Sequence, residues 1–206
     1  SVGCEQPRDK NAWIYVPHNT WFGEAQWKKY TLNELGYDVV NTFSMKRISY
    51  SKTGSWGCDE FLPMGCYYNT ETDTSMTWEI ETSGSWHWEI SDIREQLYLQ
   101  ISGPTFQENG WMINLHPGES FASVPCAVAV TEGEFQDSIG AMTQYRRRIR
   151  RQNKDNETLP VIFNDYMNCL MGDPTTDVLK PLIDAAKEAG CEYFCVDCGW
   201  YSDGHW

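Results

Sequence analysis

The chain has 206 residues, room for one or two domains, and 16 basic against 29 acidic residues give it a net charge of −13. Nucleic-acid binding needs a basic surface, so this charge argues against a nucleic-acid partner. No apolar run approaches the roughly 18 residues of a membrane span, which argues against a membrane partner. The first residue is Ser1 rather than a methionine, and the chain is expected to be part of a longer one.

Residues 40 to 130 read as β structure. Ser75 to Glu81 alternates polar and apolar, Ser83-Gly84 supplies a turn, and Trp86 to Ile90 alternates again. This pattern predicts a hairpin with one face of Trp78, Ile80, Trp86, Trp88 and Ile90, and the alternation assigns those tryptophans to a core. Leu97, Leu99 and Ile101 form a third stripe, ended by Gly103-Pro104. Ala122, Val124, Cys126, Val128 and Val130 form a fourth. Several short strands separated by turn signals predict a sandwich.

From Glu134 to Gln152 the period changes. Phe135, Ile139, Met142, Tyr145 and Ile149 recur as one helical stripe, so the run Arg146 to Arg151 is read as the solvated face of that helix. The polar stretch Asn153 to Thr158 is read as a linker. Then comes Leu159-Pro-Val-Ile-Phe-Asn-Asp-Tyr166, a short apolar run with a polar end. A helix is expected from about Val178 to Ala189, with Asp177 as its N-cap so that Pro181 falls in the first turn. Leu182, Ile183, Ala186 and Ala189 would face the sheet. Gly190 closes the helix, and Cys191 to Trp200 reads as a second buried strand capped by Asp197. Strand, helix, strand with polar carboxyl ends predicts a βα unit of a parallel sheet, as at the opening of a (β/α)8 barrel. The stretch from Pro160 to Trp206 is far shorter than the roughly 250 residues of a complete barrel.

The eight cysteines are ambiguous by count. Cys191 and Cys195 fall inside a predicted strand, where free cysteine behaves as a small hydrophobe, and this points to a reducing compartment, the cytoplasm. The sequon Asn156-Glu157-Thr158 is a weak opposite hint. Cys191, Cys195 and Cys198 have a spacing that suits an iron–sulfur cluster. On a strand, however, residues 191 and 195 would lie about 13 Å apart, at roughly 3.3 Å per residue. Cys198 would point to the other face, so these thiols are not expected to share a cluster. No cofactor or metal is expected.

Many short segments in order are similar to the microbial α-galactosidases of glycoside hydrolase family 36. They include Pro17-His-Asn-Thr-Trp21, Thr53-Gly-Ser-Trp56, Leu62-Pro-Met-Gly65 and Gly84-Ser-Trp-His-Trp-Glu-Ile90. Leu99-Gln-Ile-Ser-Gly-Pro104 and Leu115-His-Pro-Gly-Glu-Ser-Phe121 follow. Pro160-Val-Ile-Phe-Asn164 and Phe194-Cys-Val-Asp-Cys-Gly-Trp-Tyr201 resemble the first and second barrel strands. The resemblance implies a multi-domain β plus α/β chain. A β-supersandwich would span residues 1–132, a linker helix and linker 133–158, and the first βαβ unit of a truncated (β/α)8 TIM barrel 159–206. It also implies a full-length homo-oligomeric enzyme that removes terminal α-galactosyl groups from oligosaccharides with retention.

Retaining hydrolysis needs two carboxyl groups about 5–5.5 Å apart. In the family both lie on later barrel strands, so neither is expected in this chain. What carries over is the sugar-binding edge. Asp197 matches the first of two consecutive aspartates that accept galactose hydroxyls. Cys198 stands where the second is often found, and a thiol is a poor acceptor, which leaves the exact sugar open. Trp200 follows as in the family, Tyr166 replaces a tryptophan as an apolar wall, and Asp165 beside it is a further candidate. The alternatives are a relative acting on N-acetylgalactosaminides, a galactosyl-transferring enzyme, or a non-catalytic sugar-binding sandwich.

Overall fold

The structure is a computed structural model that describes residues 11–37, 43, 45–93 and 96–201. It divides into two compact units, Ser1–Ile149 and Arg150–Trp206.

Among the described residues, the first unit holds eight strands: β1 (Ala12–His18), β2 (Gln26–Thr31), β3 (Arg47–Lys52), β4 (Met64–Asn69), β5 (Thr74–Ile80), β6 (Trp86–Ile93), β7 (Gln96–Ser102) and β8 (Cys126–Glu132). A short helix α1 (Phe106–Asn109) follows β7, and helix α2 (Phe135–Ile149) follows β8. One sheet has the order β2-β1-β4-β5-β8 and the other β3-β6-β7, with every pairing antiparallel. Ile14 and Val16 of β1, Trp78 and Ile80 of β5, Trp86, Trp88 and Ile90 of β6 and Leu97 and Leu99 of β7 form one buried core between the sheets. Trp78 meets Trp88 edge-on at 5.1 Å. Gly65, opposite Trp78 on β4, leaves room for that indole, because a Cβ there would lie 2.4 Å from the ring.

The core tryptophans are buried as the alternation predicts, but the hairpin is not formed. β5 and β6 belong to different sheets. Both edges of β5 are taken, by β4 and β8, so no ladder remains for β6. The chain crosses through residues 81–85 from one sheet to the other, and the aromatic faces meet across the core.

The fourth predicted stripe also differs. Val128 and Val130 pair with Trp78 and Met76 and so share the core-facing side, yet they are exposed by 50% and 64%. The three-stranded sheet does not reach over them. Ala122 and Val124 precede the strand rather than lying in it.

The other face of the larger sheet is covered by α2. Ser138 is fully buried with its hydroxyl 2.7 Å from that of Thr77, Met142 is buried, and Phe135 stacks on Tyr15 at 4.6 Å. Lys29 lies over the Trp13 ring and pairs with Glu134 at 2.9 Å, tying the start of α2 to β2. The helix expected to open a linker therefore packs in the sandwich unit. Arg146 reaches Glu79 at 2.7 Å, while Arg147 and Arg148 are exposed, as the solvated-face reading predicts.

The second unit contains α3 (Asp155–Thr158), β9 (Ile162–Asn164), a wide turn over Tyr166–Leu170, α4 (Thr176–Glu188) and β10 (Tyr193–Cys195). β9 and β10 pair in parallel, with Phe163 opposite Phe194 and Asn164 opposite Cys195. Parallel neighbours joined through a helix form a βαβ unit. Helix α4 starts two residues before the expected point. Thr175 is its N-cap and its carbonyl takes the N–H groups of Val178 and Leu179. Pro181 is thus deeper in the helix than the first turn, and the Asp177 carbonyl has no i+4 N–H to accept. Ala186 is buried and Leu182 half-buried, while Ile183 and Ala189 are exposed.

The buried strand expected over Cys191 to Trp200 shortens to three residues, of which Tyr193 is 56% exposed. Among the described residues of this unit, α4 leaves most of the β9–β10 pair uncovered.

Candidate functional site

The carboxyl ends of β9 and β10 bring the sequence-predicted residues together. Their backbone ladder ends at Asn164 and Cys195, and the chain turns away on both sides. Just past β9, the Asp165 N–H still donates to the Cys195 carbonyl at 3.2 Å. The wide turn after it is closed by the N–H groups of Leu170 and Met171, which donate to the Asp165 and Tyr166 carbonyls. In the loop after β10, Gly199 has φ +85°, and a Cβ there would sit 1.9 Å from the Gly172 carbonyl oxygen. Only glycine permits that approach between the two loops.

Asp197 is exposed and held on several sides. Its Oδ2 accepts from Asn164 Nδ2 at 2.7 Å, and its Oδ1 faces the Cys198 thiol at 3.4 Å. Its N–H donates to Asp165 Oδ1 at 3.0 Å, and its carbonyl accepts from the Trp200 indole at 2.8 Å. Carboxylate oxygens accept more than one hydrogen bond each, so acceptor capacity remains on the solvent side. Trp200 is 57% exposed and packs against Tyr201 at 5.1 Å, presenting an indole beside the carboxylate. Tyr166 is half-buried, with its N–H donating to Asn164 Oδ1. Cys198 is half-buried. Its hydrogen bond with Tyr201 pushes that phenol above its ordinary value.

Asp165 is placed differently. It is only 1% exposed, its Oδ1 is spent on the Asp197 N–H, and its Oδ2 has no hydrogen-bond partner among the described residues. Asn164 is the residue that the sequence reading missed. Its signal was present in the register, since it ends β9 opposite Cys195, two residues before Asp197.

Cys191, Cys195 and Cys198 are half-buried and free. Among the described residues, no three His, Cys, Asp or Glu side chains are grouped to hold a metal ion, and no helix is long and apolar enough to cross a membrane. The site can accept hydrogen bonds from hydroxyl groups and offers an aromatic face beside them. This chemistry suits a neutral polyol better than an anion.

No protein-family model matches this chain. It is 27% identical over 160 residues to "Alpha-galactosidase 1" of Pediococcus pentosaceus, which covers 74% of this chain and 20% of that protein. Its fold matches the crystal structure of the α-galactosidase from Lactobacillus brevis with a TM-score of 0.72 at 16% identity, over 98% of this chain and 25% of that one. The chain thus spans about a fifth of the length of the curated relative and a quarter of the solved one. In sequence and in fold, it resembles a segment of the α-galactosidases of glycoside hydrolase family 36.

Proposed function

We propose that this chain is a segment of a retaining α-galactosidase and supplies one edge of its sugar site. One observation carries the reading. At the carboxyl ends of two adjacent parallel strands, an exposed carboxylate is held in place beside an exposed indole. Ligand sites of parallel α/β folds lie at such strand ends, and in barrels the chemistry is built from their loops.

In this reading β9 and β10 are the first two strands of a (β/α)8 barrel, and residues 1–132 belong to a β-supersandwich. Asp197 accepts galactose hydroxyls, Trp200 and Tyr166 form the apolar walls, and Cys198 lies at the rim. The substrates are terminal α-D-galactosyl groups of oligosaccharides such as melibiose or raffinose. The nucleophile and the acid/base lie on other strands of the longer enzyme, which works as a homo-oligomer in the cytoplasm. Free cysteines at Cys58, Cys66, Cys126, Cys169, Cys191, Cys195 and Cys198 fit that compartment.

Cys198 favours a second reading. A thiol beside Asp197 accepts poorly from a hydroxyl, so a galactoside with an altered substituent, such as an N-acetylgalactosaminide, is the competing substrate.

The test is turnover of nitrophenyl α-galactoside against nitrophenyl N-acetyl-α-galactosaminide. The longer enzyme should cleave the first faster, and the 206-residue chain alone should cleave neither above a mock preparation. Turnover by the chain alone would contradict the proposal.

A further inference from the structure

Resting on this reading of the site, we infer that Asn164 and Asp165 form a positioning device for Asp197 and are not themselves sugar contacts. Asn164 ends β9 with its side chain exposed, and Asp165, the first residue of the turn beyond the strand, is buried. Both nevertheless reach Asp197. The Asn164 amide holds the carboxylate at 2.7 Å, and the Asp165 carboxylate holds the main-chain N–H at 3.0 Å.

The register shows why a side chain is needed there. The β9–β10 ladder ends at the Asn164–Cys195 pair, so the Asp197 N–H has no strand carbonyl to meet. Asp165 takes that place with Oδ1, extending the ladder by a side chain while the main chain turns toward Gly199. The N–H, carbonyl and carboxylate of Asp197 are then all fixed, by Asp165, Trp200 and Asn164 respectively. A carboxylate ordered before the ligand arrives loses less freedom on binding, and supporting hydrogen bonds of this kind set the aim of the group that touches the ligand. Asp165 itself is too buried to touch a ligand hydroxyl. Its task needs only an acceptor oxygen, which a carboxamide also has.

The test measures kcat, KM and melting temperature for variants of the longer enzyme that carries this segment. Asp165→Ala and Asn164→Ala should each raise KM about tenfold with little change in kcat, because a misaimed acceptor weakens substrate and transition state alike. Asp165→Asn keeps the acceptor and should stay within about twofold of the unaltered enzyme. A loss in Asp165→Asn as large as in Asp197→Asn would mean that the Asp165 charge meets the ligand, and would overturn the inference. So would unchanged KM in both alanine variants. Normal kinetics in Asp197→Asn would instead sink the sugar-site reading itself. If Asp165→Ala does not fold, amide exchange of Asp197 in the unaltered longer enzyme decides. Protection supports the inference, and exchange at the rate of an open loop overturns it.

Discussion

Glu89 sits on the outer face of β6 and gathers three donors: Arg47 Nε at 2.5 Å, the Tyr98 hydroxyl at 2.7 Å and His87 Nε2 at 2.9 Å. Burial alone would raise its pKa, but these hydrogen bonds outweigh burial and hold it below the usual 4.5. A lowered folded-state value means that this stabilisation is complete above the unfolded carboxylate's pKa. It is then lost as the pH falls through the lower folded one. Glu89→Gln should cost about 1–2 kcal/mol at pH 7, the lower part of the range for charged hydrogen bonds because Arg47 is partly exposed. Denaturation of both proteins at pH 7 and below pH 4 checks this, since the gap should shrink in acid. A constant gap would contradict the assignment. The alternation in Trp86-His-Trp-Glu-Ile90 placed the indoles correctly. It gave no sign that His87 and Glu89, on the polar face, would be buried by 99% and 95%. A period of two reports sides of a sheet, and what covers each side depends on distant residues such as Arg47 and Glu108.

At the scale of elements, α2 is fixed to the larger sheet by a fully buried pair of hydroxyls. The Ser138 and Thr77 hydroxyls are both fully buried, 2.7 Å apart, and beside them burial pushes the Cys66 thiol up to about 11. Ser138→Val should destabilise the sandwich by roughly 1–3 kcal/mol, because it leaves the Thr77 hydroxyl with only the weakly bonding Cys66 thiol as a partner. Adding Thr77→Val should restore most of that loss, since removing both partners is nearly neutral. Urea unfolding of the two single variants and the double one measures the coupling, and a strictly additive double variant would refute it. The helical stripe through Phe135 and Met142 made α2 legible, but Ser138 interrupts the apolar pattern and could not be recognised as its most buried residue. The β5–β6 hairpin was misread for a related reason. Alternation and a Gly-containing turn describe two strands without saying whether an edge is free, and β5 had none.

At the scale of the whole chain, the two units differ in how much they can bury. The sandwich encloses an aromatic core, whereas β9 and β10 leave Val161, Ile162 and Tyr193 more than half exposed. Amides of β1, β4 and β5 in the 206-residue chain should therefore exchange far more slowly than those of β9 and β10. Equal protection in both units would contradict this. The βα order of the second unit was legible because apolar runs, a helical period and Gly190 fall in sequence. The way Asn164 and Asp165 converge on Asp197 was not, because it depends on parallel register between strands about thirty residues apart. The central claim, that Asp197 is a sugar-binding carboxylate of an α-galactosidase, is tested most directly by Asp197→Asn in the longer enzyme. Kinetics and melting temperature are measured on one preparation. Losing the charge from hydrogen bonds of roughly 1.5–3 kcal/mol should lower kcat/KM for an α-galactoside by about ten- to a hundredfold, with the melting temperature nearly unchanged. Normal kinetics with a lowered melting temperature would contradict the claim and leave Asp197 as the cap of a turn.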